Sequence, residues 1–290
     1  VKPADMPGLG YLPESTSAIL AVQLPVLLDQ LDPARTDDPA KALERLGLPE
    51  HGIELLESAS GVGLKEVDQL IVGVGLKNRT FPPQFIVVAY TRRPYDLKTL
   101  VRRTKAREMK RDGRTVYVVK TSLVPEVYWW APNNRVLVAT ISLGDFAGVP
   151  SEPRAGIEGL RPEVASLIRH AVAEDACAWV AASDDEWDKH LRLYTLIPIL
   201  PLVAGRTDLI EPAGRLRSVT LSIPHGPERL VDVRIGLKSD AAAAELEASL
   251  TDRFHGEPVD VSRAAETVRI QTPFHPAGLG SVIGRLVPAK

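Results

Sequence analysis

The sequence predicts an α+β protein made of two tandem ferredoxin-like halves, each with an antiparallel sheet and helices on one face. Three observations support this prediction. The chain has 290 residues, enough for two domains of ordinary size. The order of strand and helix signals, β-α-β-β-α-β, occurs twice, and this order is typical of the split βαβ motif. A polar break at residues 151–156 separates the two passes.

The strands are predicted from alternating apolar residues and the helices from apolar residues at helical spacing. In the first half, the order is a strand Ser17–Gln23, a helical stretch, strands Gln69–Leu76 and Gln84–Tyr90, a helix from Asp96 and a strand Thr115–Val119. In the second half, the order is a strand Ala176–Ala182, a helical stretch, strands Leu216–Ile223 and Leu230–Leu237, a helix from Asp240 and a strand Val268–Gln271. Asp240 or Ser239 can cap the last helix.

The first half is predicted to carry an extra hairpin. Its strands, Val127–Ala131 and Val136–Ile141, flank Pro132-Asn133-Asn134, where asparagine tolerates positive φ. A shortened counterpart is predicted at Phe274–Arg285. An amphipathic helix that starts after Pro162 is expected to pack across the junction between the halves. The predicted domains are therefore residues 1–152 and residues 153–290, and the second includes the junction helix.

Composition is that of a soluble globular protein, with 44% hydrophobic and 25% charged residues and a formal net charge of -2. The only cysteine, Cys177, lies in an apolar strand, which excludes an internal disulfide framework and predicts a small buried side chain. No apolar run reaches the roughly 18 residues that span a bilayer. The nearest, Leu196–Ala204, is interrupted by two prolines and is expected to be a buried connection, with an exposed patch for a partner as the alternative.

The segment Asp184, Asp185, Glu186 and His190 comes closest to a metal or acid–base site. Glu186 and His190 are four residues apart, so a helix would place them on one face. Ser183 and Glu186 also match a capping box, in which first-turn acids complement the helix dipole. We favour the cap, because a metal site needs at least a third ligand and the sequence supplies none at a recognisable spacing.

Between Arg92 and Lys120 there are eleven lysines or arginines and three acids, a local charge of +8. Six of these cations form a candidate anion-binding or partner patch: Arg102, Arg103, Lys105, Arg107, Lys110 and Arg111. A solvated helix face is the competing and favoured interpretation, and a phospholipid surface is a further alternative. Specific nucleic-acid binding is not predicted, because neither stacking aromatics nor a recognition helix is evident.

Motifs for catalysis or nucleotide binding are missing from the sequence. It has no G-x-S-x-G, no HExxH and no Walker A pattern, and Gly61-Val62-Gly63 does not follow a strand and open a helix as a dinucleotide fingerprint requires. We therefore predict no enzyme activity, no cofactor and no metal. Trp129 and Trp130 adjoin in a strand, so one ring is expected to face outward or into the interface between the halves. A packed hairpin is favoured over an aromatic platform for a sugar or peptide.

Three segments carry a resemblance to a family of uncharacterised bacterial exported domains: YLPESTSAILAV from Tyr11, GVGLKEVDQLIVGV from Gly61 and GRTVYVV from Gly113. The shared pattern is a leucine-proline, small polar residue and apolar strand, followed by a glycine, a valine-aspartate and a second apolar strand. The resemblance implies an extracytoplasmic location, in some members with attachment through a membrane helix to a serine/threonine protein kinase. It carries over no catalytic or binding residue.

These observations together predict a non-enzymatic extracytoplasmic binding or sensing domain of a bacterial envelope or membrane-anchored protein. Its partner is expected to be an unidentified protein or small ligand, and any membrane anchor would lie outside this sequence. Two alternatives remain open. One is a structural or assembly module that mediates protein–protein contacts. The other, which we disfavour, is a metal-dependent hydrolase that uses residues 184–190.

Overall fold

The computed structural model contains one antiparallel sheet of twelve strands. It describes residues 1–31, 41, 57–75, 84–121, 126–140, 146, 148–187, 189, 214–226 and 230–274. The strands are β1 Thr16–Gln23, β2 Val67–Gly75, β3 Gln84–Thr91, β4 Arg107–Arg111, β5 Arg114–Val119, β6 Val127–Asn133, β7 Val136–Thr140, β8 Ala176–Ser183, β9 Leu216–Pro224, β10 Leu230–Leu237, β11 Asp260–Ala264 and β12 Thr267–Pro273. The α-helices whose ends lie within this part of the chain are α1 Leu24–Leu31, α2 Leu97–Thr104, α3 Pro162–His170 and α4 Asp240–Arg253.

The prediction of two ferredoxin-like halves is wrong. In that fold the first two strands of a half are parallel and are joined by a crossover helix. Here β1 pairs directly and antiparallel with β2, and its other edge pairs antiparallel with β8. β8 is almost wholly apolar, and both β1 and β8 are largely buried, which is typical of strands covered on both faces in the middle of a large sheet. The alternation of apolar residues in the sequence identified the strands, but it did not identify which strands pair with each other.

The strand order shows how the two parts of the chain share the sheet. From one edge to the other it is β11-β12-β10-β9-β8-β1-β2-β3-β7-β6-β5-β4. β1 and β8 pair in the middle of the sheet, and each begins a meander of three strands, β1-β2-β3 on one side and β8-β9-β10 on the other. The next strand outward, β7 beside β3 and β12 beside β10, comes from later in the chain. The sheet therefore continues across residue 152, and the division into two domains at that point stays a prediction.

The core consists of two apolar layers, one on each face of the sheet. We call one the helix face, where Leu27 of α1, Leu100 of α2 and Leu250 of α4 pack on the strands. The other is the N-terminal face, where Met6 and α3 pack on β8 and its neighbours. Helices thus cover both faces, which corrects the prediction that they lie on one. The junction helix α3 does pack on the sheet as expected.

Helix boundaries follow the capping residues in the sequence. Asp96 caps α2 by accepting from the N–H groups of Lys98 and Thr99, and Ser239 caps α4 by accepting from the N–H of Ala242. The extra hairpin of the first part is confirmed as β6 and β7. Its predicted counterpart, Phe274–Arg285, lies outside the described residues except for Phe274. Two strands were missed, β4 and β11, and both lie at the edges of the sheet.

Candidate functional site

An apolar cleft opens on the helix face above β2, β3, β6 and β7. It encloses about 680 Å³ of empty space, part of it open to solvent. The described residues that line it are Leu24, Ala59, Ser60, Val62, Leu64, Val67, Leu70, Val87, Ala89, Val127, Trp129, Leu137 and Ala139.

Small side chains in the centre of the sheet create the space for this cleft. Ala139 of β7 pairs with Trp129 of β6 on one side and with Val87 of β3 on the other. Ala89 lies one step further along β3 on the same face, because side chains two residues apart share a face of a strand. Another wall of the cleft is formed by residues 59–64, the first two of which belong to a helical turn at residues 57–60.

Polar groups are sparse in the apolar cleft. The Ser60 hydroxyl is engaged locally, since it accepts from the backbone N–H of Val62 at 3.1 Å. Trp129 is 1% exposed and its ring stacks on Tyr117 with centroids 4.5 Å apart. The indole N–H of Trp129 is buried and has no hydrogen-bond partner among the described residues. The wall that the described residues form is therefore almost wholly apolar.

A second, basic cleft adjoins the first at Val62 and encloses about 1040 Å³ of empty space, part of it open to solvent. Its described lining is Val62, Lys65, Glu66, Thr91, Arg92, Arg93, Pro94, Tyr95, Asp96, Thr99, Leu100 and Arg103. The carboxylate of Glu66 accepts from the backbone N–H of Gly63. The hydrogen bond from the Thr99 hydroxyl, followed by those from backbone N–H groups, lowers the pKa of Asp96. Both acids are thus bonded to neighbouring groups of the chain.

The segment 59–67 separates the two clefts and forms a wall that both share. Val62 lines both of them, Leu64 lines the apolar cleft, and Lys65 lines the basic one. Arg103 fixes the wall from the basic side by donating to the carbonyl oxygen of Gly61 at 2.6 Å. The carboxylate of Glu57 fixes it by accepting from the N–H of Leu64 at 2.7 Å.

The six cations predicted as a patch lie along α2 and β4, and we call them the α2–β4 patch. Arg102 and Arg103 are on α2, Lys105 follows it in a left-handed conformation, and the other three are on the edge strand β4. Their environments differ. Lys105 and Arg107 line a hollow with Lys120 and Glu126, whereas Arg103 reaches the basic cleft.

Two further cations of the patch bond locally. Lys110 donates to the hydroxyl of Thr115, and the guanidinium of Arg111 lies 6.0 Å from the ring centroid of Tyr128. The structure therefore does not aim all six side chains at one point, since three of them lie on the edge strand β4 and Arg103 reaches the basic cleft. Whether it binds an anion or a partner stays a prediction.

The acidic segment forms a local turn in the structure. The carboxylate of Asp184 accepts from the N–H of Glu186 at 3.0 Å. Ser183, predicted as the cap, is the last residue of β8, and its hydroxyl donates to the carbonyl of Arg217. The Ser183 hydroxyl is therefore bonded to β9 and not to the N–H of Glu186, as the predicted capping box requires. His190, needed for the metal hypothesis, lies outside the described residues, and in the described part of the chain no three His, Cys, Asp or Glu side chains are grouped to hold a metal ion.

The adjoining tryptophans lie on opposite faces of β6, and the single cysteine is buried as predicted. Trp129 faces the helix side, while Trp130 faces the N-terminal side, where Tyr11 meets it edge-on and the guanidinium of Arg114 lies 4.6 Å from its centroid. Cys177 is buried, and burial raises the pKa of its thiol to about 11. Segment 196–204 lies outside the described residues.

Sequence reasoning did not find the apolar cleft. Its only signal is a pair of alanines in strands that otherwise carry bulky residues, and a strand pattern alone does not show that two alanines come close. Arg92 and Arg93 of the basic cleft were counted in the local charge excess, but Lys65 was not associated with them. Among the helices of the described chain, none combines the length and the apolar composition that crossing a bilayer requires.

Comparison with known proteins gives a likeness of fold. No family model matches the sequence, and no curated protein matches it. Among solved structures, the chain is similar to TP0453 in its crystal form I. The match covers 97% of this chain and 98% of that one, with a TM-score of 0.50 and 9% sequence identity. At this identity the likeness shows a shared fold and assigns no ligand.

Proposed function

We propose that this chain is a non-enzymatic binding or sensing module that takes an apolar ligand into the apolar cleft. The observation that carries the proposal is the composition of the wall. Of the described lining side chains, only Ser60 and Trp129 have a polar group, and none is ionisable. Such a wall gains free energy by excluding water, at about 0.8 kcal/mol for each methylene group that a ligand buries.

Binding without catalysis is supported by the chemistry of the lining. Proton transfer and nucleophilic attack need ionisable or activated groups within hydrogen-bond reach of the ligand. Among the described lining residues the nearest to such a group is Ser60, and its hydroxyl is held by the backbone of Val62. This arrangement suits the retention of a ligand.

An extracytoplasmic location in the bacterial envelope is part of the proposal. Its support is the likeness of three sequence segments to exported domains. Fractionation of cells that produce the full-length gene product, with immunodetection of this chain, tests the location directly. Recovery of the protein in the cytoplasmic fraction alone would contradict it.

Filling the cleft tests the function. Ala139→Phe places a ring between Trp129 and Val87, and a titration with the neutral dye N-phenyl-1-naphthylamine measures binding through its fluorescence. We expect the affinity to fall at least about tenfold, which corresponds to about 1.4 kcal/mol. Ala248→Phe, on the exposed side of α4, adds the same ring away from the cleft and is expected to leave the affinity unchanged.

Two results would contradict the proposed site. One is a wild-type chain that does not bind the dye. The other is equal loss of affinity in both variants, because the site of binding would then not be this cleft. Ala89→Leu fills the same space with a smaller side chain and serves if the phenylalanine at position 139 prevents folding, which circular dichroism monitors.

A further inference from the structure

We infer that the ligand of the apolar cleft is an anionic amphiphile, whose chain lies in that cleft and whose charged head group lies in the basic cleft. This inference rests on the proposed function and specifies the class of ligand. It follows from three features of the described residues: the wall that the two clefts share, the unpaired cations of the basic cleft, and the contrast with charges elsewhere in the chain.

The shared wall places an apolar and a charged environment within one residue of each other. Leu64 and Lys65 are consecutive, and they line the apolar and the basic cleft respectively. Val62 contacts both spaces. A molecule bound across this wall meets an apolar surface at one end and cations at the other, which matches an amphiphile.

The basic cleft has more positive than negative charge. Four cations, Lys65, Arg92, Arg93 and Arg103, line it with two acids, which leaves a formal charge of +2. Both acids already accept hydrogen bonds from the chain, Glu66 from Gly63 and Asp96 from Thr99. Three of the cations, Lys65, Arg92 and Arg93, form no ion pair with any described residue.

Exposed cations in the second part of the chain are used differently. Arg215 pairs with Glu245 at 2.7 Å, and Arg217 pairs with Glu266 at 2.7 Å. Arg263 bonds to two acids of α4. Against these pairs, three unpaired cations that line one cleft beside an apolar pocket point to a bound anion. Arginine suits this role because its planar fork holds a carboxylate or phosphate through two hydrogen bonds.

Three ligands with the same chain separate the contributions of tail and head group. Dodecanoate, dodecyl phosphate and dodecanol are each used, below their micellar concentrations, to displace N-phenyl-1-naphthylamine from the wild-type chain. We expect both anions to bind more tightly than the alcohol, and the difference to shrink as salt is added. The better of the two anions identifies the head group as a carboxylate or a phosphate.

A charge-matched pair of variants then tests the position of the head group. Lys65→Gln, Arg92→Gln and Arg93→Gln are combined in one protein, and they are expected to lower affinity for the anions about tenfold while affinity for dodecanol is retained. Arg102→Gln, Lys105→Gln and Arg107→Gln, combined in the control, remove the same charge from the α2–β4 patch. The control is expected to change affinity for the anions less than about twofold.

Each outcome decides a separate question. If all three ligands bind equally well and the triple variant does not matter, the anionic head group is refuted and the apolar site stands. If both triple variants weaken the anions equally, the head group does not lie in the basic cleft, and the inference fails. If no ligand displaces the dye, the proposed function itself fails. Retained dye binding reports that a variant is folded, and the single change Arg93→Gln replaces the triple if it is not.

Discussion

A buried carboxylate on the N-terminal face holds two arginines that would otherwise repel each other. Asp232 of β10 is 6% exposed and accepts from Arg269 through Nε and one terminal nitrogen, at 2.8 and 2.9 Å. It also accepts from Arg234 at 3.0 and 3.2 Å. Arg234 and Arg269 lie directly opposite each other on β10 and β12. Like charges in that position are destabilising, so the carboxylate between them is expected to stabilise the pairing of these strands.

The change Asp232→Asn removes the charge and keeps the shape. Hydrogen bonds to a charged group contribute about 1.5–3 kcal/mol each to stability, and breaking a fully buried ion pair costs about 3–5 kcal/mol. The side chains of Arg234 and Arg269 remain 32% and 42% exposed, so solvent screens part of the repulsion that is left behind. We therefore expect the free energy of unfolding to fall by about 2 kcal/mol at neutral pH.

Asp240→Asn is the matched control. Asp240 also pairs with an arginine, Arg263, but the side chain of Asp240 is 69% exposed. Exposed pairs contribute about 0.2–1 kcal/mol, so this variant is expected to lose about 0.5 kcal/mol. Denaturant unfolding with equal slopes for all three proteins measures both differences. If the two variants lose the same free energy of unfolding, burial does not explain how much Asp232 contributes to stability.

The pH dependence of the Asp232 effect has a defined sign. Burial of the carboxyl acts to raise its pKa, but hydrogen bonds from Arg269 and Arg234 outweigh burial, and the net pKa is lowered. A lowered pKa stabilises the fold above the pKa of an unfolded aspartate, about 3.9, and the contribution is lost as the pH falls through the folded pKa. The gap between wild type and Asp232→Asn should therefore be constant above about pH 5 and close in acid. A gap that persists in acid would refute the electrostatic explanation.

Two further predictions concern burial and backbone geometry. Because Cys177 is buried and donates to the carbonyl of Ile223, a thiol reagent at neutral pH should label it only as fast as the protein unfolds; rapid labelling of the native protein would contradict this. At Gly113, φ is +72° and a Cβ would meet nothing within 4 Å, so Gly113→Ala should cost about 1–2 kcal/mol by conformation alone. At Gly10 a Cβ would lie 2.1 Å from the carbonyl oxygen of Arg154. Gly10→Ala should therefore lower the melting temperature more than Gly113→Ala, and the reverse order would show that the Gly10 contact relaxes.

Local signals in the sequence predicted most strands and helices, because they depend on neighbouring residues. Asp96 and Ser239 cap helices as their side chains allow, and Asn133 and Asn134 lie at the extra hairpin. The β4–β5 hairpin was missed although Asp112 and Gly113, both with positive φ, form the strongest short hairpin signal. Its first strand consists mostly of charged residues and has no apolar alternation, so an edge strand was not recognised.

The fold itself was beyond these signals. An apolar alternation states which face of a strand is buried, but it does not state which strand lies alongside. The β11–β12 hairpin shows the same limit, because its two-residue turn, Ala265 and Glu266, carries no glycine, asparagine or aspartate. The apolar cleft depends on pairing too, since Ala139 and Val87 meet only through the register of β3 and β7.

The apolar cleft also has a physical cause in the unequal helices of the two parts of the chain. Helix α4 has 14 residues and buries Ala243 and Leu250, in the apolar layer that also contains Val233 and Ile270. Helix α2, which likewise follows the third strand of its meander, has 8 residues and buries Leu100. The difference of six residues is about 9 Å of helix. A shorter helix covers less of the sheet, so among the described residues the strands beside it keep an apolar surface that a ligand can cover. The two parts of the chain thus share a similar order of strands but differ in their surfaces. The apolar cleft and the unpaired cations of the basic cleft both lie in the part with the shorter helix.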